Sequence, residues 1–135
     1  MNWIEKAQLD YPTLFTNCYC GFDCEEGWKD LLLEVFEKLK EYPYLEIHQI
    51  KEKFGTLRLY VGAVEPKDCD IVYKIIDDAE AKSAIICELC GAPGLLRGGG
   101  WLMTRCDACE EKRKIENQRL REEYKREFDA SKNAE

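Results

Sequence analysis

Apolar residues in the first two thirds of the chain recur with helical spacing in two stretches. Before the first stretch, Asp23 and Glu26 stand three residues apart, the spacing of a capping box, so we expect a helix to begin there. Pro43 ends this helix. Asp68 or Asp70 is the expected cap of the second helix. The two apolar faces consist of Trp28, Leu31, Leu32, Val35, Phe36 and Leu39, and of Val72, Ile75, Ile76 and Ala79.

Between the two helical stretches the pattern changes to that of β-strands. Residues 57–61 alternate strictly between apolar and polar or aromatic side chains, which predicts a half-buried strand. Gly55 is the expected turn residue before it. In the preceding strand Ile47 and Ile50 fall on opposite faces, unless a β-bulge shifts one of them.

These patterns divide the chain into three regions. Residues 1–84, which start with a short helix over 3–9, form an α+β body in which two helices cover a small antiparallel sheet. Residues 85–109 carry two CxxC pairs and form a zinc module. Residues 110–135 form a long charged C-terminal helix, since 13 of the 18 residues at 110–127 are charged.

The C-terminal region has two features that favour a solvent-exposed helix. Oppositely charged residues stand four apart, and such pairs stabilise helices. They are Glu110–Lys114, Arg119–Glu123 and Glu122–Arg126. A narrow apolar stripe runs along the same segment and consists of Leu120, Tyr124 and Phe128. The stripe is too short to predict a coiled coil, which leaves the oligomeric state open.

The charge of the chain indicates the kind of partner to expect. Of the net charge of −7, residues 1–80 contribute −8, with 9 Lys or Arg against 17 Asp or Glu, and residues 81–135 contribute +1. An acidic surface complements a basic protein, or imitates the charge of DNA, and differs from the basic patch of nucleic-acid-binding proteins. No long apolar run or signal peptide is present, so we expect a cytoplasmic protein with no membrane partner.

The two CxxC pairs have the spacing of a zinc site. Cys87 and Cys90 are separated by fifteen residues from Cys106 and Cys109, and four thiolates suit tetrahedral Zn²⁺. The intervening residues 91–105 predict a hairpin with Gly98–Gly100 near its tip. The order of turn, hairpin and helix start is that of a treble-clef zinc finger, with a simpler zinc ribbon as the alternative.

We expect this zinc to be structural and the protein not to be an enzyme. A site closed by four cysteines has no open position for water or substrate. A second zinc site and a cysteine-based enzyme that uses the only histidine, His48, are weaker alternatives. The second site would use Cys18, Cys20 and Cys24 with either Cys69 or His48, and the enzyme would use Cys18, Cys20, Cys24 and His48.

Basic residues of the C-terminal half give the best case for nucleic acid. Spaced along one helical face, and joined by residues of the predicted hairpin, they would form a basic strip with a tryptophan for base stacking. The strip consists of Arg97, Trp101, Arg105, Lys112, Arg119 and Arg126. Glutamates lie among them, so a sign-mixed, solvated helix is the simpler interpretation.

Three stretches, GFDCEEGW, IKEKFGTLRLYV and AEAKSAIICELCGAPG with its closing CxxC, resemble a group of small proteins encoded in bacteriophage and prophage genomes. The similarity covers residues 11–109, and KFGTLR and CELCG are its most specific parts. The resemblance implies a phage-linked role in a bacterial cytoplasm and supplies no activity. We therefore expect a zinc-stabilised binding protein that engages and inhibits a host or host-defence protein. The alternative is a nucleic-acid-binding zinc finger in phage transcription or replication.

Overall fold

The computed structural model of the protein describes residues 2–18, 21–98 and 101–133. Within them the chain forms four α-helices and five β-strands, which confirms the predicted α+β class. The helices are α1 (Trp3–Asp10), α2 (Lys29–Leu39), α3 (Cys69–Ser83) and α4 (Asp107–Asn133). The strands are β1 (Phe22–Asp23), β2 (Glu46–Lys53), β3 (Thr56–Gly62), β4 (Leu95–Arg97) and β5 (Met103–Arg105).

The main sheet contains β1, β2 and β3 in that order. Strands β2 and β3 form the predicted antiparallel hairpin, and their register shifts between Ile47 and Gln49. This β-bulge brings Ile47 and Ile50 to the same buried core, as the sequence requires. Strand β1 pairs with β2 in parallel, through Phe22 opposite Ile50. The sheet is therefore mixed, where the sequence predicted an antiparallel one.

The core lies between the main sheet and the predicted apolar faces of α2 and α3. Helix α3 packs against β3 and against α2. Phe36 of α2 is fully buried, and its ring lies 5.1 Å from that of Phe15 and 6.1 Å from that of Phe22, centroid to centroid. Burial of one such side chain contributes about 1.5–3 kcal/mol. Helix α3, which leads into the cysteine segments, is thus anchored to this core.

The predicted start of α2 is wrong. Asp23 belongs to β1, and a short 3-10 turn over Glu26–Trp28 precedes the helix, which begins at Lys29 without a side-chain cap. The backbone around Gly27 is instead held by the segment at Cys87 and Glu88, as described below. A tertiary contact has replaced the local capping interaction. Asp68 does occupy the cap position of α3, but its side chain makes no capping hydrogen bond.

Helix α4 extends from the body as a largely exposed rod. Its 27 residues correspond to about 40 Å of helix. From Lys114 to Lys132 every side chain is exposed except the half-buried Asn117. Arg119 bonds Glu116 and Glu123 along the helix. The apolar stripe of Leu120, Tyr124 and Phe128 faces solvent.

Candidate metal centre

Four cysteine sulfurs converge at the junction between the end of α3 and the start of α4. The ligand atoms of Cys87, Cys90, Cys106 and Cys109 all lie within 4.8 Å of one another. All four residues are free thiols. The Sγ atoms of Cys90 and Cys106 are 3.6 Å apart. Sulfurs bound tetrahedrally at about 2.3 Å from zinc are about 3.8 Å apart, so the cluster has the dimensions of a four-thiolate metal site.

The first pair lies on a tight turn, residues 87–91, which we call the knuckle. The N–H of Gly91 donates to the carbonyl of Cys87 at 2.9 Å, and Gly91 has a φ of +85°. A side chain would strain this backbone conformation, which explains the glycine that follows the second cysteine. The N–H of Cys87 donates to the Ala92 carbonyl at 2.7 Å, so the chain leaves the knuckle in a fixed direction.

The second pair lies at the N-terminus of α4. The N–H of Cys109 donates to the sulfur of Cys106 at 3.4 Å. Strands β4 and β5 form the predicted hairpin between the two pairs, with Leu95 opposite Arg105. Part of the predicted tip, at 99–100, lies outside the described residues. The helix N-terminus places partial positive charge beside thiolates, which favours a negatively charged metal–thiolate centre.

The protein environment separates the acidities of the clustered thiols. Burial opposes ionisation of Cys87, but backbone N–H groups of Cys106, Cys90 and Leu89 outweigh it and lower the pKa of Cys87 to about 6. Burial and hydrogen bonds with the other three cysteines raise the pKa of Cys109 to about 12. At neutral pH, Cys87 is therefore the thiolate that is ready for a cation, and Cys109 must lose a proton to bind one.

A backbone contact at Gly27 holds the knuckle against the body, and the side chain of Trp28 holds the residue that precedes the knuckle. The N–H of Gly27 donates to the Glu88 carbonyl at 2.6 Å, and a Cβ at position 27 would lie 2.0 Å from the Cys87 carbonyl oxygen. The indole N–H of the fully buried Trp28 donates to the Ile86 carbonyl at 3.0 Å. Sequence reasoning missed these contacts. Gly27, a glycine inside a predicted helix, is the sequence signal that could have indicated them.

Glu88, inside the knuckle, makes contacts that no sequence signal indicated. Its carboxylate accepts the N–H of Glu25 at 3.0 Å, and its own N–H donates to the Thr104 carbonyl at 3.0 Å. Burial raises the pKa of the Glu88 carboxyl to about 7, although the bond from Glu25 opposes the shift. Glu88 therefore joins the knuckle to the body and to β5.

Thr104 provides a second attachment between the hairpin and the body. Its buried hydroxyl donates to the Gly55 carbonyl at 2.7 Å, at the turn between β2 and β3. Gly55 has a φ of +85°, and a Cβ there would lie 2.3 Å from Leu96 Cδ1. The hairpin consequently packs against the β2–β3 turn, and its orientation is fixed relative to the main sheet.

Two members of the predicted basic strip, Arg97 and Arg105, lie on the β4–β5 hairpin and pair with acidic side chains. Arg105 is only 7% exposed and bonds the buried carboxylate of Glu110 at 3.3 Å. Arg97 bonds Asp107 at 2.7 Å. Glu110 also pairs with Arg113, so its predicted pairing with Lys114 is replaced by these inward contacts. The strip members that remain exposed are Trp101, Lys112, Arg119 and Arg126.

The other predicted metal site is not brought together within the described ranges. There, the only group of three or more Cys, His, Asp or Glu ligand atoms close enough for a metal is the four-cysteine cluster. Cys20 lies outside those ranges, so the second site remains a prediction. Burial, with nearby acidic groups, raises the pKa of Cys24 to about 12, which makes this thiol a poor nucleophile.

Comparison of the chain with protein-family models, curated proteins and solved structures found no match. The resemblance to phage-encoded proteins therefore stays a prediction. No helix in the described part of the chain combines the length and apolar character that are needed to cross a bilayer.

Proposed function

We propose that the protein is a non-enzymatic, zinc-stabilised binding protein whose metal shapes a protein-binding surface. The observation that carries the proposal is the convergence of four free cysteines within 4.8 Å, at the point where the hairpin joins the body. Zn²⁺ is the metal that best suits four thiolates in a tetrahedral site. Such a centre is closed by protein ligands, which favours a structural role.

The order of elements supports a treble-clef arrangement. The knuckle, the β4–β5 hairpin and the start of α4 follow one another, and the second cysteine pair lies at the helix start. In this arrangement the metal holds three elements that do not bury a core of their own. Loss of the metal therefore alters the hairpin surface before it alters the main sheet.

The partner that we propose is a host or host-defence protein, which the chain inhibits by occupying its surface. The acidic charge of residues 1–80 and the exposed apolar side chains of the hairpin support protein recognition. The hairpin region exposes Leu95, Leu96 and Trp101. The resemblance to phage-encoded proteins supports a bacterial setting.

A metal analysis and a capture experiment test this proposal together. We expect about one Zn²⁺ per purified chain, lost in Cys106→Ser/Cys109→Ser and retained in the control Cys69→Ser. The tagged wild type and Cys69→Ser should retain the same bacterial protein after nuclease treatment, and the double variant should not. Absence of bound zinc, or equal capture by the double variant, would overturn the proposal.

The exposed indole of Trp101 favours nucleic acid as the second candidate, since a base can stack on it. The discriminating measurement is a salt titration with a single-stranded oligonucleotide. Phosphate contacts require affinity to fall steeply as salt rises. We expect no such binding, because Glu25 and Glu52 line the same cavity as this tryptophan.

A further inference from the structure

Two adjoining cavities open between the β2–β3 turn and the end of the hairpin. Their volumes are about 410 and 430 Å³. Lys51, Glu52 and Trp101 line both of them, so they form one continuous groove. Within this groove, Phe54 lines the first cavity and Asp23 lines the second. We call it the Phe54–Trp101 groove.

Two aromatic rings flank the groove and are exposed to water. Trp101 is 73% exposed and Phe54 is 63% exposed. Phe54 and Gly55 are the two central residues of the β2–β3 turn, and both have positive φ, of 55° and 85°. Asparagine is the usual residue at the first of these positions, and a bulky aromatic is strained there. Folding alone does not explain a strained aromatic side chain that faces solvent.

The groove is acidic in the cavity that Asp23 and Glu25 line, where four carboxyl groups accompany one lysine, and basic in the cavity that Phe54 lines, where two lysines accompany Glu52. Asp23 and Glu25 are exposed, and Glu52 lies between the two cavities. Lys51 and Lys53 are the basic residues that line it. The ammonium of Lys53 lies 5.5 Å from the centroid of the Phe54 ring, so the face of this ring already contacts a cation. The groove thus offers aromatic faces and carboxylates to a positively charged side chain.

We propose that the Phe54–Trp101 groove binds an arginine side chain from a basic segment of the partner protein. A planar guanidinium stacks on indole and donates to carboxylates in the same plane. Glu25 and Glu52, which line the same cavity as Trp101, supply those carboxylates, although one oxygen of Glu52 already accepts the N–H of Gly55 at 2.8 Å. A phosphate backbone would meet the same carboxylates as like charges, which disfavours nucleic acid. This inference rests on the proposed function and names the surface and the chemistry of its partner.

Fluorescence anisotropy with a short labelled peptide of arginine and leucine tests the inference. A matched peptide with citrulline in place of arginine keeps the shape and removes the charge. We expect the arginine peptide to bind the zinc-loaded protein, and the citrulline peptide to bind at least about tenfold more weakly. Trp101→Ala and Glu52→Gln should each weaken the arginine peptide by about tenfold. The control Tyr44→Ala, which removes an equally exposed aromatic ring elsewhere, should bind as wild type does.

Phe54→Asn separates binding from folding. Asparagine suits the turn, so this variant should unfold at higher urea concentration than wild type and still bind the arginine peptide several-fold more weakly. Equal binding of the arginine and citrulline peptides, or full binding by Trp101→Ala, would overturn the inference. So would Trp101-dependent binding of a single-stranded oligonucleotide. If the inference fails while zinc-dependent capture of a cellular protein persists in Trp101→Ala, the proposed function stands and its surface lies elsewhere.

Discussion

At the scale of single residues, the metal centre depends on positions where the backbone of the body touches the backbone of the knuckle. Gly27 leaves no room for a side chain, because a Cβ would lie 2.0 Å from the Cys87 carbonyl oxygen and 2.3 Å from that of Glu88. Both oxygens belong to the knuckle, which carries Cys87 and Cys90 of the metal site. Gly27 is therefore as important to the centre as the turn glycine, Gly91.

Gly27→Ala should lower the free energy of unfolding by about 3 kcal/mol, since the clash is with backbone rather than with a flexible side chain. It should also weaken zinc binding. Gly98→Ala is the matched control, because nothing lies within 4 Å of a Cβ at that position. Urea denaturation with zinc present measures both variants. Equal stability of the two would show that the knuckle does not pack on Gly27.

Thr104→Val should lower the free energy of unfolding by about 1–3 kcal/mol. Valine keeps the shape of threonine but removes the buried hydroxyl that donates to the Gly55 carbonyl at 2.7 Å, and leaves that acceptor without this bond. The same substitution at the exposed Thr13 is the control and should be neutral. Thermal denaturation of the three proteins compares them. An unchanged Thr104→Val variant would mean that the hairpin is not attached at this turn.

At the scale of elements, local patterns predicted what local forces determine. The apolar faces of α2 and α3, the β2–β3 hairpin with its bulge and the β4–β5 hairpin were all predictable, since each depends on residues close in sequence. The parallel pairing of β1 and the absence of the predicted capping box could not be predicted in this way. Both result from contacts between residues far apart, such as Phe22 with Ile50 and Gly27 with Glu88. Periodicity contains no information about these pairings.

The same distinction applies to the candidate site. The spacing of the cysteines predicted their convergence. Each CxxC pair lies within one short segment, so a single contact between the two segments brings all four sulfurs together. The contacts of Glu88 and the burial of Arg105 were unpredictable, since a charged residue in a short segment is usually exposed. Glu110, the partner of Arg105, belongs to a helix that the pattern predicted to be solvated.

Zinc affinity should rise with pH between about 6 and 8, because each ligand must bind as a thiolate. The pKa of Cys87 is lowered to about 6, so this thiol is ionised over most of this pH range. It therefore adds little to the pH dependence of zinc affinity above pH 6. Cys109, with a pKa raised to about 12, holds a proton that zinc must displace, so affinity falls as pH falls. The expected slope is about tenfold per pH unit for each displaced proton.

Competition with a chromophoric chelator at several pH values measures this slope. Cys69→Ser, which leaves the four-cysteine cluster intact, is the control and should follow the wild-type curve. An affinity that does not change with pH would show that the four thiols are not the ligands that zinc deprotonates.

At the scale of the whole molecule, contacts join the knuckle, the hairpin and the first turn of α4 to the body. The knuckle and hairpin are bonded to the body through Gly27, Trp28 and Thr104. Beyond Arg113, the ion pairs of α4 are with residues of α4 itself, in the part of the chain that the structure describes. Such exposed pairs contribute little to folding.

Removal of residues 115–135 should therefore change the free energy of unfolding by less than about 0.5 kcal/mol and leave zinc binding intact. The segment contains the exposed stripe of Leu120, Tyr124 and Phe128, and none of its side chains at 115–132 belongs to the buried core. Urea denaturation of the full chain and the truncated chain at two protein concentrations is the measurement. A loss of more than about 2 kcal/mol that grows with protein concentration would contradict the expectation, because it would show that α4 of the full chain is stabilised by a second copy.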